Sequence, residues 1–301
     1  MYRTGRHRGP GAHHTLTVAF ATAVALGVIL GLSGCGGWVK DPAGPIAAAE
    51  RMIYLDSLVI MLAIVVPVIA ATLAFAWWFR ASNRRARYRP DWSYSGRIEL
   101  VVWSIPALVV FFLGGIAWIS SHDLDPARPI ESKQGALEID VVSLDWKWLF
   151  IYPQQQVASV NQLVIPAGRP VRFRVTSATV WNVFWIPRLG SMLYCMYGMA
   201  GTLYLQADHP GVFPGYSAMI SGDGFADMHF DAQAVTPEQF LSWTNATRAT
   251  GPVLDASAYR TLLRPSSSVP PYNYRSVAPG LFEDIVSQKL PPGEGSPGPS
   301  P

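Results

Sequence analysis

The sequence predicts a membrane-anchored all-β protein: a two-helix transmembrane hairpin, then a β-sandwich, then a short helical C-terminal extension. Three observations predict it. Residues 58–78 and 100–119 are almost continuously apolar, and at about 1.5 Å per residue each run of about 20 residues crosses roughly 30 Å of hydrocarbon. From Ala136 the continuous apolar pattern gives way to short alternating runs broken by Gly and Pro. After Thr236 the pattern becomes mixed and helical.

Taken in order, residues 1–34 form a secretory signal. Arg3, Arg6 and Arg8 make its basic start, residues 16–32 are apolar, and the segment closes on Leu32, Ser33, Gly34 and Cys35. A cysteine at that place suggests a lipoprotein, cut before Cys35 and acylated on its sulfur; an uncleaved first membrane helix is the alternative. Residues 35–57 are then an external segment leading to the first membrane helix, residues 58–79. Trp77 and Trp78 at its end, and Trp118 in the second helix, are residue types of the membrane interface. The connecting loop, residues 80–97, sets Arg80, Arg84, Arg85, Arg87, Arg89 and Arg97 against a single Asp91, which assigns it to the cytoplasm. A patch for anionic lipid is the sharper reading of those arginines. The second membrane helix covers residues 98–120, with Glu99 near its start, where interfacial water and the helix dipole tolerate a carboxylate. Pro67 and Pro106 kink the spans or need neighbouring helices to satisfy the freed carbonyls, so the hairpin reads as packed against another membrane protein.

The formal net charge of +3 comes from the first 34 residues alone, because their three arginines are their only formally charged side chains. The remainder is balanced, which argues against nucleic acid as a partner. Of the two cysteines, Cys35 and Cys195, only the second lies in the exported part, so no internal disulfide can staple it and a core must hold it together.

The sandwich is assigned to residues 121–233. Leu137, Ile139 and Val141 alternate with polar residues, residues 171–176 form a period-2 strand, and the turn at 208–211 precedes another strand at 216–220. The extension occupies 234–289 and opens on Thr236 and Pro237, an N-cap followed by proline at the first helical position. Residues 290–301 are a Pro/Gly/Ser tail. Between sandwich and extension the chain reads GYSAMISGDGFADMHF at 215–230, small and glycine-rich with a closing Met-His pair. The segment has the look of a loop built to hold something, without strong ligands.

Several motifs together carry a family resemblance: Cys35; the hairpin with Glu99, Trp103 and Pro106; DWKW at 145–148; FWIPRLG at 184–190; and the closing loop. They resemble subunit II of the haem-copper respiratory oxidases over about 35–288, and the resemblance implies a cupredoxin-like sandwich. Residues 262–285, with PYNY at 271–274, resemble the aromatic-rich extension of the quinol-oxidising branch, the cytochrome bo type. In the cytochrome c branch this subunit carries a dinuclear copper centre. On that frame the two cysteine positions are Ser217 and Ser221, the glutamate between them is Met219, the loop histidine is Phe225 and the earlier histidine is Asn182; only Met228 keeps the family's residue. Thiolate and imidazole hold copper where hydroxyls cannot. Past the signal, and with Cys35 acylated, the chain keeps one thiol, Cys195, beside His122, His209 and His229, so a two-cysteine centre cannot be assembled. A blue-copper set of Cys195, His209 and His229 is the remaining arithmetic possibility.

The resemblance implies a subunit with no catalytic residue and no cofactor of its own. Haems and a copper are expected in the catalytic subunit, where ubiquinol is oxidised, oxygen reduced to water and protons pumped. The implied partners are that subunit I, the smaller oxidase subunits and membrane lipid, in a bacterial cytoplasmic membrane with the sandwich periplasmic. Glu99, Trp103, Trp146, Trp148, Tyr272 and Tyr274 are the candidate interface residues; electron relay through Trp146 and Trp148 is the competing reading. Two rival functions stand beside this one: a copper subunit taking electrons from cytochrome c, and a free lipoprotein with a binding or assembly role.

Overall fold

The computed structural model describes residues 40–290 apart from residue 88. The expected signal segment, Cys35 and the tail from residue 291 lie outside the described residues. Residues 1–41 are a unit of their own, described only at Lys40 and Asp41; the hairpin, the sandwich and the extension belong to the unit that begins at Pro42.

Two helices come first, α1 (Pro45–Trp78) and α2 (Gly96–Asp123), both long and apolar enough to cross a membrane, with their spanning windows buried against nothing in the chain. The segment expected as an external lead-in up to residue 57 is helical from Pro45. Proline at the first helical position and the alanines behind it start the helix early. Its 34 residues extend about 51 Å, roughly 20 Å more than a membrane crossing needs, and its N-terminal end protrudes beyond the apolar run. That protruding end docks on a loop of the sandwich. The Ala43 N–H donates to Arg188 O at 2.8 Å, the Asp208 N–H donates to Ala43 O at 2.8 Å, and Ser191 Oγ donates to Glu50 Oε1 at 2.6 Å. Gly190, at φ +143°, is required here: a Cβ would fall 2.6 Å from Ile46 Cγ2.

The sandwich has two facing sheets. The six-stranded sheet contains β1 (Leu137–Leu144), β2 (Lys147–Tyr152), β3 (Val157–Val160), β5 (Val171–Ser177), β8 (Gly201–Leu205) and β12 (Tyr272–Tyr274), ordered β12-β3-β2-β1-β5-β8. The five-stranded sheet contains β4 (Gln162–Pro166), β6 (Asn182–Trp185), β7 (Leu193–Cys195), β9 (Gly211–Ser217) and β10 (His229–Val235), ordered β4-β10-β9-β6-β7. Strand β1 runs parallel to β5, with Ile139 opposite Phe173, and antiparallel to β2.

Alternation explains the core. Leu137, Ile139, Val141, Trp148, Phe150 and Tyr152 point between the sheets. The interleaved Val142, Leu144, Leu149 and Ile151 point the other way, into a second core closed by the extension through Leu254, Tyr259, Tyr274, Phe282 and Ile285. Strand β2 is buried on both faces and reads as a near-continuous apolar run, whereas β1 carries Glu138 and Asp140 among its apolar residues. At the centre Phe184 and Phe230 stack at 5.4 Å, and Trp148 meets both edge-on at 5.5 and 5.7 Å. Such pairs add about 0.5–1.5 kcal/mol each beyond their buried area.

Two of the expected interface residues are corrected here. Trp148 is fully enclosed, and Tyr274 is buried under the extension, so neither presents itself to a partner. The extension carries the expected helices and short strands besides. It holds α3 (Pro237–Ala249), α4 (Ala256–Leu262) and α5 (Leu281–Val286), but also β11 (Val253–Leu254) paired with β13 (Ser276–Val277), and its β12 adds an edge to the six-stranded sheet against β3. Buried side chains tie it down. Lys147 Nζ donates to Arg264 O at 2.8 Å and Ser266 Oγ at 2.6 Å, while Asn161 Nδ2 donates to Val269 O at 2.8 Å and its Oδ1 accepts from the Trp148 N–H at 2.8 Å.

Candidate functional site

The loop between β9 and β10 closes one end of the five-stranded sheet. Register brings its start beside β6: Phe184 pairs with Ser217, and Asn182 lies two residues along, opposite Cys195 of β7. Asn182 and Ser217 are buried and bonded to each other. Ser217 Oγ donates to Asn182 Oδ1 at 2.9 Å, and Asn182 Nδ2 donates to Ser143 Oγ of β1 at 2.7 Å. Met219 sits within the same group, its O at 3.2 Å and its N–H at 3.5 Å from Ser217 Oγ. Met228 is buried and packs in the inter-sheet core. Phe225, half-buried, opens the 3-10 turn Phe225–Asp227. Ser221 Oγ is enclosed with no hydrogen-bond partner among the described residues.

The structure thus links Asn182, Ser217 and Met219, and leaves Ser221 and Phe225 outside that network. The donor set is a carboxamide and two hydroxyls already bonded to one another, with a core thioether; it does not fit copper, which prefers thiolate and imidazole. The alternative set is not brought together either. Cys195 is buried in β7, where burial pushes its thiol up to about 12, while His209 and His229 are exposed. Among the described residues no group of three or more His, Cys, Asp or Glu side chains could hold a metal ion.

Three contributors were missed from sequence. Ser143 completes the network; the signal was a lone hydroxyl in the apolar run VVSL. Gly222 and Gly224 admit the indole of Trp146, which donates from Nε1 to Ser221 O at 3.2 Å; a Cβ on Gly224 would lie 2.4 Å from Trp146 Cδ2. Trp146 is therefore the floor of the loop, half-buried and held at φ +61° in the two-residue turn between β1 and β2. Of the other expected interface residues, Glu99, Trp103 and Tyr272 are exposed.

A second polar cluster lies on the outer face of the six-stranded sheet, at a cavity of about 470 Å³ shared with α5. Arg174 there meets Glu283 at 2.5 Å, Glu138 at 3.5 Å and Asp140 at 3.6 Å. Burial pushes the Asp140 carboxyl up to about 7 against the pull of Arg174, with Glu138 and Glu283 adding to the rise.

Comparison with known proteins gives this geometry its context. Residues 132–235 match the family described as cytochrome c oxidase subunit II, periplasmic domain, and residues 248–293 match the COX aromatic rich motif. The cytochrome bo(3) ubiquinol oxidase subunit 2 of Pseudomonas aeruginosa is 45% identical over 88% of this chain and 80% of its own length. The chain belongs to the cytochrome bo(3) ubiquinol oxidase subunit 2 family. The ubiquinol oxidase subunit 2 of Acetobacter aceti is similarly close, 44% identical over 85% of this chain and 84% of its own length. Among solved structures, the periplasmic domain of cytochrome oxidase subunit II of Bradyrhizobium japonicum covers 36% of this chain and 91% of that one, at 25% identity and a TM-score of 0.35. As a member of the subunit 2 family the chain combines two apolar helices, a cupredoxin-like sandwich and the aromatic-rich extension.

Proposed function

We propose that this chain is the non-catalytic subunit II of a proton-pumping ubiquinol:oxygen oxidoreductase, a terminal oxidase of aerobic respiration. In this reading it is a lipoprotein of the bacterial cytoplasmic membrane, acylated at Cys35, with its sandwich in the periplasm. Its hairpin packs beside the haem-copper catalytic subunit, with Glu99 and Trp103 on that side, and its sandwich caps the outer face. Haems and copper belong to the catalytic subunit, and this chain carries no redox centre.

The observation that supports the reading is the bonded trio Asn182, Ser217 and Ser143, of which Asn182 and Ser217 fall on positions that the resemblance gives to copper ligands in the cytochrome c branch. A donor dissolved in the bilayer reaches the catalytic subunit directly, so a water-facing metal relay is dispensable.

The test is purification through a tag on this chain. Co-eluting haem with ubiquinol-dependent oxygen uptake is the expected result; a haem-free chain would point to a lone lipoprotein. The full chain expressed alone and loaded with copper under reducing conditions is expected to stay colourless after desalting. Stoichiometric copper with a near-infrared or blue band would make it an electron carrier instead. For the anchor, Cys35→Ala is expected to leave the uncleaved precursor in the membrane, and normal shortening of that variant would count against it.

A further inference from the structure

The cytoplasmic end of the hairpin contains a cavity of about 910 Å³ between the ends of α1 and α2, walled by Phe75, Phe79, Trp92 and Ile98 and edged by Arg87 and Arg89. We propose, resting on the membrane reading of the chain, that this cavity is a binding site for one anionic phospholipid. Its phosphate would meet Arg87 and Arg89, and an acyl chain would run along Phe75 and Ile98.

The basic residues divide into two groups. Arg80 is committed to the helix end: Nη1 donates to Trp77 O at 2.9 Å, Nε donates to Ser82 Oγ at 3.1 Å, and the guanidinium lies 4.8 Å from the centre of the Trp77 ring. Asn83 Nδ2 donates to Trp78 O at 2.6 Å. These two side chains satisfy carbonyls of the last turn of α1, and the Arg80 charge offsets its negative dipole end. Arg87 and Arg89 have no such task; no described residue gives either guanidinium a hydrogen bond or an ion pair. Asp91, the loop's one carboxylate, forms no ion pair with them.

The apolar walls decide which anion fits. Phe75 lies a full turn inside α1 from Phe79, and Ile98 lies inside α2, so both sit at the edge of the hydrocarbon, where only an acyl chain supplies apolar contact. Trp92 stands at the level of the interface, as its amphipathic ring prefers. A basic rim one step outside an apolar wall matches the order of groups in a phospholipid, and unpaired guanidinium groups are good phosphate ligands. A free anion would leave the aromatic walls in water, and an acidic peptide would need its own apolar segment in the bilayer.

The experiment uses the full-length chain, purified in mild detergent and equilibrated with equal amounts of phosphatidylglycerol and phosphatidylethanolamine, with retained lipid read by native mass spectrometry. The expected result is one phosphatidylglycerol per chain in preference to phosphatidylethanolamine. The Arg87→Gln/Arg89→Gln variant is expected to lose about 30-fold in that preference, and Arg89→Gln alone, which keeps the loop basic, about fivefold. Arg84→Gln/Arg85→Gln removes as much charge from residues that do not line the cavity and should retain the lipid. Equal losses in the two double variants would reduce the effect to diffuse loop charge and overturn the site, as would unchanged retention in Arg87→Gln/Arg89→Gln or a co-purified acidic polypeptide in place of lipid. Carbonate extraction of wild-type membranes separates the underlying reading. A chain that washes off would overturn the membrane reading itself, whereas an integral chain without bound lipid would overturn the site alone.

Discussion

In α2, Trp103, Val110 and Phe111 are each at least 70% exposed, whereas in β2 Trp148, Phe150 and Tyr152 are wholly enclosed. Both segments are as apolar as protein sequence usually becomes, yet one directs its side chains outward and the other inward. The difference is one of solvent. A sandwich strand is stabilised by removing its side chains from water against other strands, so the domain is complete in itself. The helices satisfy their own backbone groups and leave their apolar surface exposed, and in the proposed membrane reading lipid or another subunit covers it. Substitutions of the same kind should therefore have very different consequences in the two regions.

The largest contrast is expected from truncating a core aromatic. Trp148→Ala removes the ring that meets Phe184 and Phe230 and should cost about 3–5 kcal/mol. Thermal unfolding of the full chain in detergent would read this, and a shift of only a degree or two would break the comparison. Next is Gly224→Ala, which forces a Cβ into the Trp146 indole and is expected to cost about 1–3 kcal/mol, with a change in tryptophan emission. Unaltered emission and urea midpoint would mean that Trp146 is not the floor of the loop.

A pH effect sharpens the picture for the outer face of the sandwich. The Asp140 carboxyl has an ordinary value of 3.8 and is held near 7 in the fold, so between those values the folded chain keeps a proton that the unfolded chain has released. Its contribution to stability is complete below about pH 4 and is lost as pH rises to about 7, at no more than about 1.4 kcal/mol per pH unit for one proton. Urea titrations across that window should show the slope in wild type and a flatter curve in Asp140→Asn; parallel curves would refute it. The smallest effect is expected in the hairpin. Leu108→Ala should change the stability of the isolated chain by less than about 0.5 kcal/mol, because more than half of its surface is exposed. A much larger loss in the assembled oxidase would locate the partner on that face.

How much of the molecule was legible in the sequence depends on the range of the interactions. The two spans and the alternating strands are local patterns, and the sequence displays them directly. The early start of α1 is also locally encoded, in Pro45 and the alanines after it, but the apolar run at 58 dominates the reading. The edge strand β12 is three residues long and exists because β3 lies beside it, a pairing across more than a hundred residues that no window reveals. Distant strands likewise hid the burial of Trp148, which is covered by Phe184 and Phe230 between the sheets, and the extension hid that of Tyr274. DWKWLFIY marks a strand apolar on both faces, but only the folded extension shows what covers the second face. At the loop, the missing thiols and imidazoles could be counted, while the bond between Asn182 and Ser217 depends on β6 and β9 being neighbours.

Helix α1 is unbroken from its apolar run to its N-terminal end beside the loop around Gly190, and in the proposed membrane reading that run lies in the bilayer. The stretch between residues 45 and 58 is thus a rigid spacer that sets how far the domain stands off the membrane and which way it faces. One inserted residue would raise the domain by about 1.5 Å and swing it by about 100° around the helix axis, turning a different side toward whatever lies beneath. Only insertions near whole turns preserve that orientation, so the spacer behaves as a screw thread whose pitch limits the lengths this subunit can adopt.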